Sequence, residues 1–243
     1  MRLVTFPGVL RPPSDAYMLA DSLRQECLDE RSSVLDLCAG SGILAVVAAL
    51  SGAGRVTAVD ISRRAVVATL LNSRLNGVRV RAVRGDLFAA VPGERFNLII
   101  SNPPYLVSAS DRLPRRGAKR AWDAGTSGRA FLDRICARAQ HHLRPGGALL
   151  IVHSSLCSEQ ATVDALAQRG YEVRIVARQR GPLGARMQAR VDMLRGRGLL
   201  GEEAVEDIVV VRAVWPGERK LARRGFGVLT GVSDPKAGRS IAD

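Results

Sequence analysis

Apolar residues along the chain group into short runs that alternate with segments of helical spacing. The runs have the length of a strand, and the segments between them repeat apolar side chains every three or four positions. The predicted strands are Ser33 to Leu37, Arg55 to Val59, Val78 to Val83, Phe96 to Ser101, Gly147 to Val152, Tyr171 to Ala177 and Asp207 to Val214. This alternation predicts a doubly wound, seven-stranded, mostly parallel α/β sheet.

Helices are predicted on both faces of this sheet. The first spans Ser14 to Glu30 with Ser14 as its cap, and the others are Gly42 to Leu50, Ser62 to Asn76, Ser127 to His142 and Ser158 to Arg169. Two segments fall outside the pattern: Arg178 to Gly201, between the last two strands, and Pro216 to Asp243, which is basic and rich in glycine. We therefore expect one domain over residues 1–215 and a flexible tail over residues 216–243.

Composition sets the class of protein. Hydrophobic residues make up 47% of the 243 residues, enough for one sizeable core. The longest apolar runs are only of strand length and no secretory leader is visible, so the sequence predicts a cytoplasmic protein without membrane contact. The cysteines at positions 27, 38, 136 and 157 are scattered, and we expect reduced thiols rather than disulfides or metal ligands.

The chain is strongly basic. Its formal charge is +13 and its isoelectric point is near 10.9, with only three lysines among the 36 basic residues. Such an arginine surplus indicates a polyanionic environment, such as nucleic acid, a ribonucleoprotein or an acidic protein surface. A GC-rich genome would produce the same bias, so the overall charge leaves both explanations open.

The ends of the first three predicted strands carry glycines and carboxylates. Gly40 and Gly42, in "VLDLCAGSGILA", let the chain turn tightly and let a ligand approach the backbone at the start of a helix. Asp60 can accept hydrogen bonds from a ribose diol, and Asp86 can accept one from an adenine amino group. Ligands of an open parallel sheet bind at these strand ends, so the pattern predicts an adenosine-containing cofactor.

Two such cofactors fit. Gly40 to Ala45 matches the dinucleotide fingerprint G-x-G-x-x-A, which keeps NAD open. Asp36 argues against NAD, because a carboxylate inside the turn would face a pyrophosphate but suits the cationic part of S-adenosylmethionine. Asp86 adds a second carboxylate. The fourth strand ends in the turn Asn102 to Tyr105, for which hydride transfer has no evident use.

This turn, Asn-Pro-Pro-Tyr, is stiff, because proline donates no ladder hydrogen bond and keeps the preceding residue extended. Asn102 Oδ1 and the carbonyl oxygen of Pro103 can each accept one hydrogen from a planar NH2 group, and Tyr105 offers that group a flat face. Such a grip would direct the nitrogen lone pair and favour positive charge developing on nitrogen. The segment therefore predicts methyl transfer to a planar NH2 group.

The same motifs resemble class I S-adenosylmethionine-dependent methyltransferases, and within them the HemK/PrmC glutamine N5-methyltransferases. The resemblance covers about Pro12 to Val214 and rests on "DLCAGSG", "VTAVDIS", "GDLF" and "NPPY", although adenine-N6 and cytosine-N4 methyltransferases share NPPY. More specific are Arg120 to Ile135, "RAWDAGTSGRAFLDRI", and Leu10 to Leu23, "LRPPSDAYMLADSL", which are similar to segments of the short eukaryotic and archaeal branch. The resemblance implies a Rossmann-like class I fold with an antiparallel last strand.

By position, the resemblance also implies site residues. Those gripping the acceptor are Asn102, Pro103 and Tyr105, and those contacting the cofactor are Asp36, Cys38, Gly40, Gly42, Asp60, Asp86, Leu87 and Asn102. Two positions depart from the family pattern: Cys38 replaces the usual first glycine, and Ala16 stands where a cofactor-binding threonine is usual. Because the first cofactor strand begins near Ser33, we do not expect the helical release-factor-binding domain of the longer bacterial enzymes in this sequence.

The resulting hypothesis is methylation of a protein glutamine, with the Gly-Gly-Gln motif of a translation release factor as the expected target. Methylation of an adenine amino group in RNA or DNA remains the alternative; a non-catalytic cofactor binder is disfavoured, because the acceptor grip is intact. The basic lip, Asp111 to Arg120, either steers an acidic or nucleic-acid-associated substrate or is a solvated loop. Trp122 is either a rim anchor or a core residue. Contact with nucleic acid or the ribosome, and an activating partner subunit, are further expectations.

Overall fold

The apolar runs form one sheet, as predicted. A computed structural model describes residues 1–5 and 7–218, and within this part seven strands lie in the order β3-β2-β1-β4-β5-β7-β6. They are β1 Ser33–Leu37, β2 Arg55–Asp60, β3 Arg81–Arg84, β4 Phe96–Ser101, β5 Leu143–Ser154, β6 Glu172–Pro182 and β7 Val205–Val214. Strands β1 to β5 are parallel, and β7 pairs antiparallel with both β5 and β6. The predicted fold class is confirmed.

Helices cover both faces because side chains alternate along each strand. Val34, Leu98 and Ile100 contribute to a core with α1 and α2, while Leu35 and Ile99 contribute to the opposite core with α4 and α5. The helices are α1 Ser14–Leu23, α2 Ile43–Leu50, α3 Arg63–Leu75, α4 Leu132–His142, α5 Glu159–Ala167, α6 Ala185–Gln188 and α7 Val191–Gly196.

The strand order places the predicted motifs side by side. The sheet grows in one direction from β1 to β2 and β3, and in the other from β1 to β4 and β5. The last residues of β1 and β4, Leu37 and Ser101, pair directly. The glycine turn after β1 and the Asn-Pro-Pro-Tyr turn after β4 therefore begin at the same edge, where an open α/β sheet binds its ligands.

The prediction for the first helix was wrong in two respects. Helix α1 ends at Leu23 instead of Glu30, where the N–H groups of Gln25 and Glu26 turn back to carbonyls three residues earlier. Apolar spacing stops at the same point, and Cys27 is exposed. Pro13 occupies the N-cap position instead of Ser14, and Asp15 Oδ1 accepts from the N–H of Ala16 at 2.7 Å.

Two other boundaries differ for local reasons. Helix α4 begins at Leu132 instead of Ser127, because Gly128 has a φ of +71°, which no helix accommodates. Strand β5 starts at Leu143, directly after α4, instead of at Gly147, so Pro145 and Gly146 lie within the strand. The pairing of β5 with β4 shifts register between Phe96 and Leu98, which accommodates them.

The segment Arg178 to Gly201 was wrongly placed outside the pattern. Strand β6 continues to Pro182, and the connection that follows, residues 183–204, contains α6 and α7. Of the predicted tail, residues 219–243 lie outside the described part of the chain, so its extent stays a prediction. Among the described helices, none is both long and apolar enough to cross a membrane.

Candidate functional site

A cavity of about 1380 Å³ opens at the carboxyl ends of β1, β2 and β4. Pockets for single small molecules measure about 300–1,000 Å³, so this one has room for a cofactor and part of a second molecule. Asp36 and Gly42 lie behind its wall, while the other predicted site residues line it: Cys38, Gly40, Asp60, Asp86, Leu87, Asn102, Pro103 and Tyr105.

The turn after β1 has a left-handed backbone at Cys38, Gly40 and Gly42. At Gly42 a Cβ would also lie 2.8 Å from the backbone of Thr69, so both conformation and space require glycine there. At Gly40 only the conformation does, since an added Cβ would meet nothing nearer than 3.9 Å in the described structure. The turn leads into the amino terminus of α2, which favours polar and anionic ligand groups.

Asp36 lies under this turn with its side chain fully buried. Its Oδ2 accepts from the N–H of Ala45 at 3.1 Å, whereas Oδ1 has no hydrogen-bond partner among the described residues. Burial raises the pKa of this carboxyl well above its usual range, and the charge of Asp60 adds to the effect. An orphaned carboxylate oxygen in this place suits a cationic ligand group.

Asp60 ties the cavity together. Its Oδ2 accepts from the N–H of Gly40 at 2.9 Å and its Oδ1 from the N–H of Ser62 at 2.8 Å. Each carboxylate oxygen can accept a second hydrogen bond, so hydroxyl groups of a ligand can still be bound. Burial raises the pKa of Asp60, while the hydrogen bonds from Ser62 and Gly40 lower it.

Asp86 and Cys38 have contrasting environments at the cavity wall. Asp86 is half-exposed, and its Oδ2 pairs with Nη2 of Arg134 at 2.7 Å. Burial raises the pKa of the Cys38 thiol well above its usual range, and the carboxylates of Asp60, Asp36 and Asp86 raise it further. The thiol therefore stays protonated at neutral pH and is a poor nucleophile.

The acceptor turn is held by Asp15 at the start of α1. Asp15 is buried, and its Oδ2 accepts a short hydrogen bond from the hydroxyl of Tyr105. Burial raises the pKa of Asp15, while hydrogen bonds from Tyr105, Ala16 and the Asn102 side chain lower it. An ionised carboxylate only accepts, so a hydrogen bond between these two side chains would come from the NH2 group of Asn102 and would leave its Oδ1 for another donor. Burial, and after it the charge of Asp15, raises the pKa of Tyr105 well above its usual value, so its hydroxyl stays protonated and remains a donor.

The backbone of Tyr105 is supported from behind. Its carbonyl oxygen accepts from the thiol of Cys157 at 2.9 Å. Gly128 passes so close that an added Cβ would lie 2.5 Å from this carbonyl oxygen and 2.6 Å from Sγ of Cys157. Glycine is therefore required at position 128, because the acceptor turn passes too close for a side chain.

The connection of residues 183–204 forms the far wall of the cavity. Arg190 donates to the carbonyl oxygen of Val107 at 2.5 Å and pairs with the largely buried Asp123 at 2.6 Å. Arg197 donates to the carbonyl oxygens of Ser108 and Ala109 at 3.0 and 3.2 Å. A separate hydrophobic cluster of Val107, Leu183, Met187, Leu194 and Leu200 fills the contact. The segment is thus joined to the loop after the acceptor turn.

Comparison with known proteins agrees with this geometry. Residues 14–115 match the family model of the methyltransferase small domain. A protein of Methanocaldococcus jannaschii assigned as a protein N5-glutamine methyltransferase is 33% identical over 182 residues, which cover 75% of this chain and 90% of the relative. This chain belongs to the HemK/PrmC-type glutamine N5-methyltransferases.

Two bacterial members of this methyltransferase family are longer than the chain. The release factor glutamine methyltransferase of Bordetella pertussis is 37% identical over 60% of the chain and 57% of the relative. The ribosomal protein uL3 glutamine methyltransferase of Bradyrhizobium diazoefficiens is 43% identical over 48% of the chain and 39% of the relative. The chain thus spans about half the length of these two relatives.

The methyltransferase fold is confirmed by solved structures. The Mtq2–Trm112 complex of E. cuniculi, which is responsible for methylation of the termination factor eRF1, contains a chain with a TM-score of 0.58. The alignment has 20% identity and covers 86% of this chain and 99% of that one. At this identity the likeness establishes the fold alone.

Two buried carboxylates of this methyltransferase, Asp15 and Glu206, line the cavity but were not among the predicted site residues. Asp15 appeared in the sequence analysis only as part of the segment Leu10 to Leu23. A carboxylate among the apolar positions of an amphipathic helix could have singled it out. Glu206 accepts from the hydroxyl of Ser154, and burial raises its pKa. Its position in β7 gives no such signal. Trp122 lies at the rim, where the guanidinium of Arg186 lies 4.3 Å above its ring.

Proposed function

We propose that this protein transfers a methyl group from S-adenosylmethionine to the side-chain amide of a protein glutamine. The observation that carries the proposal is the position of the Asn102–Tyr105 turn, which lines one cavity together with the glycine turn and Asp60. A cofactor held by the glycine turn and an NH2 group held by Asn102 would therefore lie in one continuous space.

The residues of the cavity fit this cofactor. S-adenosylmethionine supplies a methyl group on a sulfonium centre, which a nitrogen lone pair can displace in line. The orphaned Oδ1 of Asp36, behind the cavity wall, suits its cationic part through one bridging water. Asp60 would accept from the ribose hydroxyls and Asp86 from the adenine amino group. Leu87 would contact the adenine, because its buried side chain lies at the same wall.

The acceptor side would position the amide. Asn102 Oδ1 and the carbonyl oxygen of Pro103 accept the two hydrogens of the NH2 group, and the fixed donors and acceptors need no rearrangement as positive charge develops on nitrogen. Asp15 holds Asn102 and Tyr105 in this arrangement. A general base is unnecessary, because the nitrogen becomes acidic as it is methylated and can release its proton afterwards.

The proposed substrate class is a protein of the translation machinery. The bacterial relatives are named for a release factor and for ribosomal protein uL3, and the M. jannaschii relative is named for a protein glutamine. We favour the Gly-Gly-Gln loop of a release factor. The basic lip and Arg186 border the cavity and would attract an acidic or RNA-associated surface. The same charge favours the second candidate, methylation of an adenine amino group in RNA.

A methyl-transfer assay of the purified chain would also show whether a partner subunit is needed. The fold neighbour from E. cuniculi was solved in complex with Trm112. Activity of the purified chain alone would show that this protein needs no such partner. We propose the cytoplasm as its location, because translation occurs there.

The test uses Asn102→Ala and labelled S-adenosylmethionine, with a folded release factor and an adenine-bearing RNA offered separately. We expect labelling of the release factor, and kcat about 10²–10³ lower in Asn102→Ala, because one acceptor of the NH2 grip is lost mainly in the transition state. Cofactor affinity should change less. Asn76→Ala, an amide outside the cavity wall, is the control. Labelling of RNA alone would establish the second candidate, and parent activity in Asn102→Ala would refute the mechanism.

A further inference from the structure

One hydrogen-bond donor in the cavity lacks an acceptor. Nη2 of Arg120 is shielded from solvent and has no partner in the described part of the chain, whereas Nη1 donates to the carbonyl oxygen of Arg115 at 3.2 Å. Arg120 lies in a short helical turn, Ala118–Ala121, at the end of the basic lip, and it lines the same cavity as Asp60. Leaving a buried guanidinium nitrogen unbonded is unfavourable. A ligand in the cavity can supply the missing acceptor.

The surroundings indicate which part of the ligand this is. Arg120 acts on Asp60, since its charge lowers the pKa of that carboxyl against the larger effect of burial. Arg120 and Asp60 both line the cavity, whereas Asp36 lies behind its wall. The ribose proposed at Asp60 is therefore the part of the ligand that shares the cavity wall with Arg120.

A ribose hydroxyl can satisfy both side chains at once. It donates its hydrogen to a carboxylate oxygen of Asp60 and accepts a hydrogen from a guanidinium through its own oxygen. We propose that Arg120 is a cofactor-binding residue whose Nη2 donates to a hydroxyl oxygen of the cofactor ribose opposite Asp60, so that bound cofactor fastens the basic lip over the cavity. The lip follows because Nη1 of the same side chain holds the Arg115 carbonyl.

Calorimetry tests the contact with two ligands. S-adenosylhomocysteine carries the ribose and the amino acid, whereas 5′-methylthioadenosine carries the ribose without the amino acid. Arg120→Gln should weaken both by about tenfold, the effect of losing one hydrogen bond from a charged donor. Arg120→Lys keeps the charge but not the planar fork and should also bind both ligands more weakly than the parent. Lys119→Gln removes an exposed neighbouring charge outside the cavity wall and should bind as the parent does.

Limited proteolysis tests the lip. Arg115 and Arg116 are exposed, so trypsin should cut the parent there, and S-adenosylhomocysteine should slow cutting several-fold. At ligand concentrations that saturate both proteins, Arg120→Gln should lose that protection.

Three results would overturn the proposal. They are parent affinity in Arg120→Gln, a loss confined to S-adenosylhomocysteine, which would place Arg120 at the amino acid end, and undiminished protection of the lip in the variant. None of these measurements involves methyl transfer, so they remain decisive even if glutamine is not the acceptor.

Discussion

Gly128 offers a perturbation that reaches the acceptor turn without entering the cofactor cavity. It has a φ of +71°, and an added Cβ would overlap the carbonyl oxygen of Tyr105 at 2.5 Å and Sγ of Cys157 at 2.6 Å. The residue itself is outside the cavity wall. Gly128→Ala should therefore displace Tyr105 while the residues proposed to hold the cofactor stay in place.

The magnitude follows from two contributions. An alanine in the left-handed region costs about 1–2 kcal/mol, and crowding in a filled interior costs about 1–3 kcal/mol, so the free energy of unfolding should fall by about 2–5 kcal/mol. In a domain of this size that corresponds to a Tm lower by about 4–20 °C. A displacement of about 1 Å at a reacting group can reduce the rate by about 10²-fold, and we expect kcat to fall by that order.

The control is Gly77→Ala. Gly77 has a φ of +68°, and an added Cβ would meet no described heavy atom within 4 Å, so this position shares the backbone strain without the overlap. Differential scanning calorimetry gives Tm, labelled methyl transfer gives kcat, and titration calorimetry gives the cofactor Kd, which should stay within about threefold of the parent in both variants. If Gly128→Ala matched Gly77→Ala in Tm and in kcat, the close approach at Tyr105 would have no functional weight.

Three further predictions concern charged groups. Asp15→Asn removes the carboxylate that accepts from Tyr105, so kcat should fall about tenfold or more with cofactor Kd unchanged; parent kcat would contradict this. Replacing Arg115 and Arg116 by Ser should lower kcat/KM, with the difference shrinking as salt is added; an unchanged salt slope would leave a solvated loop. Burial raises the pKa of Asp36 in the folded state, so its ionised form destabilises the fold above that pKa and the penalty disappears below the ordinary carboxyl range. Asp36→Asn should raise Tm of the cofactor-free protein at pH 8 but not near pH 4, as thermal scans across pH would show.

The parts of the fold that sequence could predict are those with a local cause. Strands β1 and β4 were predicted to the residue, because each is an apolar run with side chains buried on both faces and a turn of glycine or proline after it. The cofactor and acceptor turns follow strands that were predicted to be parallel, so both were expected at the same edge of the sheet.

The rest depended on contacts between distant residues. Leu183 lies just before α6, which has four residues, and Leu194 lies in α7, which has six. Helices this short give no clear apolar period, and both leucines are buried by packing with Val107. The role of Asp15 likewise depends on Tyr105, ninety positions along the chain. Neither relation leaves a period in the sequence.

The contacts of Arg190 and Arg197 also bear on how the substrate range of such a protein can diverge. Both arginines hold the loop after the acceptor turn largely through main-chain carbonyl oxygens, those of Val107, Ser108 and Ala109. Every residue has a main-chain carbonyl, so substitutions on this loop keep the acceptors of both arginines. Such substitutions can change the surface that a substrate contacts while residues 183–204 stay bound to the loop. Randomising positions 108–110 while keeping both arginines is therefore a rational starting library for redirecting specificity.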